Sequence, residues 1–261
     1  MTKRRFYLSD PPLGESAVLL GSEAHHLIHV LRARAGDCIE LIDGSGRVWT
    51  GMICRIGLES VDLTHVTMIV KEASSSTPFI LLQSLCKSDK LEWTFQKTTE
   101  LGVTEIYLIE AARSVVRIPP ARIEAKLDRW KKIIIGAAKQ SRSGALPLLH
   151  PPMNCQSACD QVRAELKIHF SENEGRQNLK KILRMKQWNS VAFCIGPEGG
   201  WITDEEALFC RHQFQPVSLG AHILRTETAA IAALAVLKYE LEDSRASAST
   251  ERSCSKPGRE D

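Results

Sequence analysis

Apolar and β-branched residues follow two different rhythms along this chain, and the change comes near residue 78. Up to about residue 73 they form short runs, Ala17–Leu20, Cys38–Ile42, Val48–Ile53 and Val66–Val70. Runs of this length, rich in Val and Ile and bounded by turn residues, predict strands. Asp43-Gly44-Ser45-Gly46 between the second and third predicts a hairpin. One helix interrupts them, from Ser22 as the capping residue to Ala33, with Leu27, Val30 and Leu31 on one face. The expectation for 1–73 is a small β-barrel. Ala73-Ser74-Ser75-Ser76-Thr77-Pro78 then reads as a linker.

After Pro78 strands and helices alternate. Phe79–Leu85, Ile106–Ile109, Leu166–Phe170, Val191–Ile195 and Pro216–Leu219 are strand-like, several of them apolar throughout, as strands buried on both faces are. Between them, a helix from about Asp89 to Leu101 opens on an Asp89/Glu92 capping pattern and stops at Gly102. Pro119-Pro120 opens a long helix whose buried stripe is Ile123, Leu127, Trp130, Ile134 and Ala137 or Ala138. Thr203 with Glu206 starts another, and Thr228–Glu242 is the last. This βαβ order predicts an α/β domain with a parallel sheet over 77–243. The segment 244–261, rich in Ser, Arg and Glu without apolar spacing, is expected to be disordered.

With 261 residues and 43% hydrophobic content the chain suits one large or two modest domains with a real core. No apolar run reaches the roughly 20 residues of a membrane span, and Lys3-Arg4-Arg5 is followed by no apolar signal core, so a cytoplasmic protein is expected. The eight cysteines form no CxxC pair, which points to buried or free thiols and no metal site. Net charge is only +3, but Lys or Arg stands at 113, 117, 122, 126, 129, 131, 132, 139 and 142, against Glu124 and Asp128 alone. Either a solvated helix face or a phosphate-binding footprint fits that run; a second cluster at Arg4, Arg5, Arg32 and Arg34 favours nucleic acid.

Two glycine-bearing turns follow strands directly: Gly196-Pro197-Glu198-Gly199-Gly200 after Val191–Ile195, and Gly220 after Val217–Leu219, leading into Ile223-Leu224-Arg225-Thr226-Glu227-Thr228. Glycines let main-chain groups approach a ligand closely, and carboxyl ends of strands are where open α/β sheets bind ligands. The first turn lacks the Lys-Ser/Thr of a phosphate loop, and no G-x-G-x-x-G joins a strand to a helix, which disfavours ATP and NAD chemistry.

Taken together, Arg5-Phe6, His25-His26, Asp43–Gly46, Lys87–Val103, Arg113-Ser114, Arg129-Trp130, Ala138–Ser141, Gly196–Gly200, Leu219-Gly220 and Ile223–Ala229 carry a resemblance that covers nearly everything up to Glu242. The chain resembles the bacterial small-subunit (16S) ribosomal RNA uracil-N3 methyltransferases of the SPOUT class. The resemblance implies an N-terminal PUA-like β-barrel that holds RNA, a SPOUT α/β domain ending in a trefoil knot, S-adenosyl-L-methionine as cofactor, and a homodimer with the active site between subunits. The RNA partner that the resemblance implies is the small-subunit ribosomal RNA or the assembled small subunit. Carried over by position, the cofactor would meet Ile195, Gly196, Pro197, Glu198, Gly199, Gly200, Leu219, Gly220, Ile223, Leu224 and Thr226. RNA binding would fall to Arg4, Arg5, His26, Arg32, Arg113, Gln140 and Arg142. Arg225 and Glu227 are the catalytic candidates, Arg225 to stabilise the uracil anion and Glu227 as proton acceptor or as the partner that orients Arg225; a bracing Arg225–Glu227 pair is the structural alternative. Glu198 would equally cap the next helix, and His26 would equally be structural. The family commonly reads Gln-Ser-Gly-Arg where this chain has Gln140-Ser141-Arg142-Ser143, which leaves the role of Arg142 open. Methylation of a ribose 2′-hydroxyl, or a non-catalytic RNA-binding assembly factor, are the rival functions.

Overall fold

The structure is a computed structural model, and it describes residues 4–71, 77–171, 177–185 and 187–252. Two compact units divide it: Met1–Ser75 with Trp130–Pro147, and Ser76–Arg129 with Leu148–Asp261. The first unit thus takes in Trp130–Pro147, which the sequence pattern assigns to the α/β domain.

In the first unit the strands are β1 (Arg5–Tyr7), β2 (Ala17–Leu20), β3 (Cys38–Ile42), β4 (Arg47–Ile56) and β5 (Ser60–Lys71). They form a mixed half-barrel sheet in the order β1-β3-β4-β5-β2, with only the β1–β3 pair parallel. Alternation puts Leu19, Ile39, Leu41, Trp49, Ile53, Val61 and Leu63 on one buried face with Phe6 and Leu27. The β3–β4 turn forms where Asp43-Gly44-Ser45-Gly46 predicts it: Asp43 Oδ1 accepts from the Ser45 N–H (2.9 Å) and hydroxyl (2.7 Å), and both glycines have positive φ. The helix expected over Ser22–Ala33 is shorter and differently wound. Helix α1 spans Gly21–His25, with no side-chain cap, and His26–Val30 is a π-helical turn closed by Leu31 N–H on the His26 carbonyl. Arg32, at φ +50°, stops it in the left-handed conformation that ends helices.

The second unit holds β6 (Phe79–Ser84), α2 (Ser88–Glu100), β7 (Glu105–Ile109), the start of α3 (Pro120–Ser141), β8 (Leu148–Leu149), α4 (Cys155–Gln161), β9 (Leu166–Phe170), β10 (Gln177–Asn178), α5 (Leu179–Leu183), β11 (Val191–Ile195), α6 (Thr203–Arg211), β12 (Gln215–Ser218) and α7 (Thr226–Arg252). Its seven strands run parallel in the order β10-β12-β9-β11-β6-β7-β8. Every residue of β6 and of β11 is buried; β11 and Phe79–Leu82 of β6 are apolar throughout, as strands covered on both faces are, and Gln83 and Ser84 end β6 as buried polar groups.

Three local readings need correction. The Asp89/Glu92 box does not form: α2 begins at Ser88 without a side-chain cap, and Glu92 is drawn to Arg129 at 2.8 Å. Helix α6 is not capped by Thr203 and Glu206; the buried Glu205 carboxylate accepts from the N–H groups of Ile202 (3.1 Å) and Ala112 (2.7 Å) instead. Helix α7 continues past Glu242 to Arg252, over part of the tail expected to be disordered; residues 253–261 lie outside the described residues. Most of the linker expected at Ala73–Pro78 also lies outside them.

Candidate active site

Strand β9 lies between β11 and β12, and because all three are parallel, Phe170, Ile195 and Ser218 release the chain at one edge of the sheet. The loops that leave there enclose a cavity of about 710 Å³. Its wall includes Ile195, Gly196, Pro197, Glu198, Gly199, Gly200, Leu219, Gly220, Ile223, Leu224, Arg225 and Thr226. The two glycine turns, far apart in sequence, therefore bound one space.

Thr226 fastens them together. Its hydroxyl donates to the Gly196 carbonyl (2.8 Å) and accepts from the Gln83 side-chain amide (3.0 Å), and the residue is only 4% exposed. The Ser84 hydroxyl holds the Ile195 carbonyl at 2.9 Å. Both Gln83 and Ser84 come from the end of β6, so a strand that does not itself border the cavity sets its two rims.

The glycines do different jobs. A Cβ on Gly196 would stand 3.1 Å from the Trp201 indole, and one on Gly199 would stand 3.2 Å from the Arg113 Cβ. Those two positions admit neighbouring side chains. Gly200 (φ +69°) and Gly220 (φ +129°) instead need the left-handed region, and nothing lies within 4 Å of where a Cβ would be. Trp201 is tied in place by donating from Nε1 to the Phe170 carbonyl at 3.1 Å.

Arg225 is exposed on the wall, and its side chain makes no hydrogen bond or ion pair among the described residues. No Arg225–Glu227 brace forms. Glu227 stands outside the cavity wall, its Oε2 buried without a hydrogen bond and 4.0 Å from Lys90 Nζ. Lys90 also holds Glu198, at 3.0 Å, so Glu198 does not cap α6. The Glu198 hydrogen bond, first among the causes, raises the Lys90 pKa. Next to this group, burial, reinforced by the charges of Glu198 and Glu227, pushes the Cys86 thiol up to about 12 and keeps it protonated.

Arg113, assigned by resemblance to RNA, borders this cavity, donating to the Gly199 carbonyl at 2.8 Å. Arg4, Arg5, His26, Gln140 and Arg142 line a separate hollow in the first unit, and Arg32 lines neither. Sequence reasoning missed Phe170, Ser171, Glu206 and His222 in the wall. Phe170 and Ser171 had a usable signal, the end of a predicted strand; Glu206 is brought to the wall by the Ser171 hydroxyl, which donates to it at 2.6 Å. Among the described residues no group of three or more His, Cys, Asp or Glu is placed to hold a metal, and no helix is long and apolar enough to cross a membrane.

A family model described as an RNA methyltransferase domain matches residues 73–238, and one described as an RNA methyltransferase PUA domain matches 19–64. The chain belongs to this RNA methyltransferase family. Within the family, the ribosomal RNA small subunit methyltransferase E of Mycobacterium bovis is 31% identical over 239 residues, covering 90% of each chain. The methyltransferase E structure from Neisseria gonorrhoeae, bound to S-adenosyl methionine, has a TM-score of 0.82 at 31% identity and covers 91% of this chain and 98% of its own. A Legionella pneumophila methyltransferase, solved with bound SAM, has a TM-score of 0.83 at 29% identity, covering 92% and 98%. The family architecture of a PUA-like sheet followed by a parallel α/β sheet is the one observed here.

Proposed function

We propose that this protein transfers the methyl group of S-adenosylmethionine to N3 of a uridine in small-subunit ribosomal RNA. The observation that carries the reading is the single cavity made from the Gly196–Gly200 and Ser218–Thr226 turns, locked by the Thr226 hydroxyl. Its volume of about 710 Å³ suits a small-molecule ligand. Space left open at Gly200 and Gly220 fits a folded nucleoside donor that must be gripped closely. Ile195, the Gly196–Gly200 turn, Leu219, Gly220, Ile223, Leu224 and Thr226 would hold it. When bound, that donor supplies an electrophilic methyl carbon on a sulfonium.

The protein's own part is positioning and charge. Displacement needs the uracil nitrogen in line with the methyl carbon, which a fixed cavity provides by orientation alone. N3 carries a proton, so the base has to be exposed and the proton removed. Arg225, exposed on the wall with an unpaired guanidinium among the described residues, supplies positive charge for the resulting anion. Glu227 is the proton acceptor in this reading; its Oε2 is buried without a hydrogen bond and outside the cavity wall, so one water would carry the proton to it. The N-terminal sheet and the residues Arg4, Arg5, His26, Arg32, Arg113, Gln140 and Arg142 serve the RNA. A homodimer with the site completed between subunits, and a knotted path for the two turns, belong to the same proposal, as does a cytoplasmic location.

Nucleoside mass spectrometry of ribosomal RNA from a strain lacking the gene tests the reading. Loss of 3-methyluridine is expected; intact 3-methyluridine with loss of a 2′-O-methyl nucleoside would move the methyl to ribose, and no loss of either would end it.

A further inference from the structure

One ammonium group serves both of the turns that enclose the cavity. Lys90 Nζ donates to Glu198 Oε1 at 3.0 Å, in the Gly196–Gly200 turn, and stands 4.0 Å from Oε2 of Glu227, the residue directly after Thr226. Helix α2 gives it a fixed mount. Lys90 lies in the first turn of that helix, where Leu91 and Thr94 are buried and the Thr94 hydroxyl donates to the Lys90 carbonyl at 3.0 Å; α2 in turn packs on α7, the helix that carries Glu227. The side chains of Lys90, Glu198 and Glu227 keep 22%, 27% and 15% of their exposure, so water screens their charges less than it screens a surface pair.

The two distances have different chemical consequences. A hydrogen bond at 3.0 Å occupies a lone pair of Glu198 and holds that carboxylate charged. At 4.0 Å the same cation favours the charged form of Glu227 by attraction alone, and Oε2 is left without a hydrogen bond, free to take a proton. The other titratable groups of the cluster supply no positive charge. Cys86, between β6 and α2, stays a neutral thiol, and Asp89 acts on it as a further negative charge. Without Lys90, Glu227 would face the Glu198 carboxylate with no cation within 4.0 Å among the described residues.

We propose that Lys90 is a positioning residue for methyl transfer: held by Glu198 just beyond hydrogen-bond range of Glu227, it keeps that carboxylate charged yet unoccupied, ready for the uracil proton. The inference rests on the methyltransferase reading above. In the step it serves, the N3–H bond breaks with its electron pair left on nitrogen, the proton passes through one water, and an O–H bond forms on Glu227. Glu198 thereby has a use beyond the cavity wall, because it sets how far Lys90 leans toward Glu227.

The test uses the full-length protein and two substitutions that act in opposite senses. Lys90→Met removes the cation, so protonation of Glu227 should move to higher pH by about one pH unit; Glu198→Gln frees the ammonium to close on Glu227 and removes a competing anion, so protonation should move to lower pH by a similar amount. Each is read twice. Carboxyl-carbon NMR of glutamate-labelled protein, without donor or RNA, follows the Glu227 signal, identified by its loss in Glu227→Gln. The acid limb of the kcat profile is measured at saturating S-adenosylmethionine and small ribosomal subunits from a strain lacking the gene. Opposite shifts in both measurements, with Lys90→Arg close to the unmutated protein, are expected. A merely structural clamp would lower Tm in both variants and move neither titration. That result, shifts in the same direction, or NMR shifts that the kcat profile does not follow would overturn the proposal. Should Lys90→Met fail to fold, Glu198→Gln alone must move the NMR titration and the acid limb downward or the proposal falls. An unmutated protein that transfers no methyl group would sink the methyltransferase reading, whereas absent NMR shifts in a protein that does transfer it would sink the role of Lys90 alone.

Discussion

At Gly196 the absence of a side chain serves a tryptophan, because the Trp201 indole fills the space 3.1 Å from where a Cβ would be. Gly196→Ala is therefore expected to push Trp201 off its hydrogen bond to Phe170 and to destabilise the fold by roughly 1–3 kcal/mol, the usual range for overpacking, with weaker S-adenosylmethionine binding; denaturant unfolding and ligand titration on the same sample check both. Arg225 presents the opposite case. Exposed and unpaired among the described residues, it should be replaceable by Ala with a stability change within about 0.5 kcal/mol while methyl transfer falls far more than donor affinity does. Equal losses in turnover and in donor binding would mean that it shapes the cavity and leaves the reaction to others. The two glycine turns and the Ile223–Thr228 stretch were legible from residue types alone. The lock on them was not, since Gln83 and Thr226 are 143 positions apart and neither belongs to a motif by itself.

Among the elements, β9 brings a buried histidine into the sheet. His169 is 1% exposed and packs against Phe209, and burial, the largest cause, lowers its pKa below the usual value of 6.5, with Glu206 and a backbone bond to Phe214 pulling the other way. The folded protein thus binds this proton less readily than the unfolded chain does. Stability is fully present above the unfolded pKa of about 6.5 and declines as pH falls below it toward the folded value. Melting temperatures measured between pH 7.5 and pH 5.5, values near that unfolded pKa of about 6.5, should fall, and should fall less in His169→Phe; parallel slopes in the two proteins would remove His169 as the cause. Helix ends show why local patterns misplace boundaries. Asp89/Glu92 and Thr203/Glu206 both have capping spacing, yet Glu92 binds Arg129 on another helix, Glu206 binds Ser171 at the cavity, and the α6 cap comes from Glu205, which also ties down Ala112. A carboxylate takes the best donor within reach, and the chain's path decides which donor that is.

For the whole molecule, the basic run from Arg113 to Arg142 looks in sequence like one continuous footprint. Folding divides it between the two units and neutralises part of it: Arg129 pairs with Glu92, Lys139 with Glu23, and Arg117 lies 4.0 Å from Glu110. Lys131 and Lys132 remain exposed, with no partner among the described residues. Reversing both to Glu should weaken RNA binding uniformly across sequences and flatten its salt dependence, by about 0.7 in slope for each phosphate that is no longer neutralised; an unchanged slope would leave them as solvated surface.

By itself the sequence determined the change from a strand-rich beginning to an alternating α/β remainder, the hairpin at Asp43–Gly46 and the two turns that make a ligand site, because periodicity, glycine and proline act over a few residues and need no distant partner. Tertiary structure alone decided that β9 separates β11 from β12, that Thr226 and Gln83 close one cavity from two remote turns, and which charges stay unpaired to meet a ligand. Strand order, hydrogen-bond partners and ion pairs are set by which remote segments come together, and that proximity is not written in any single window of the chain.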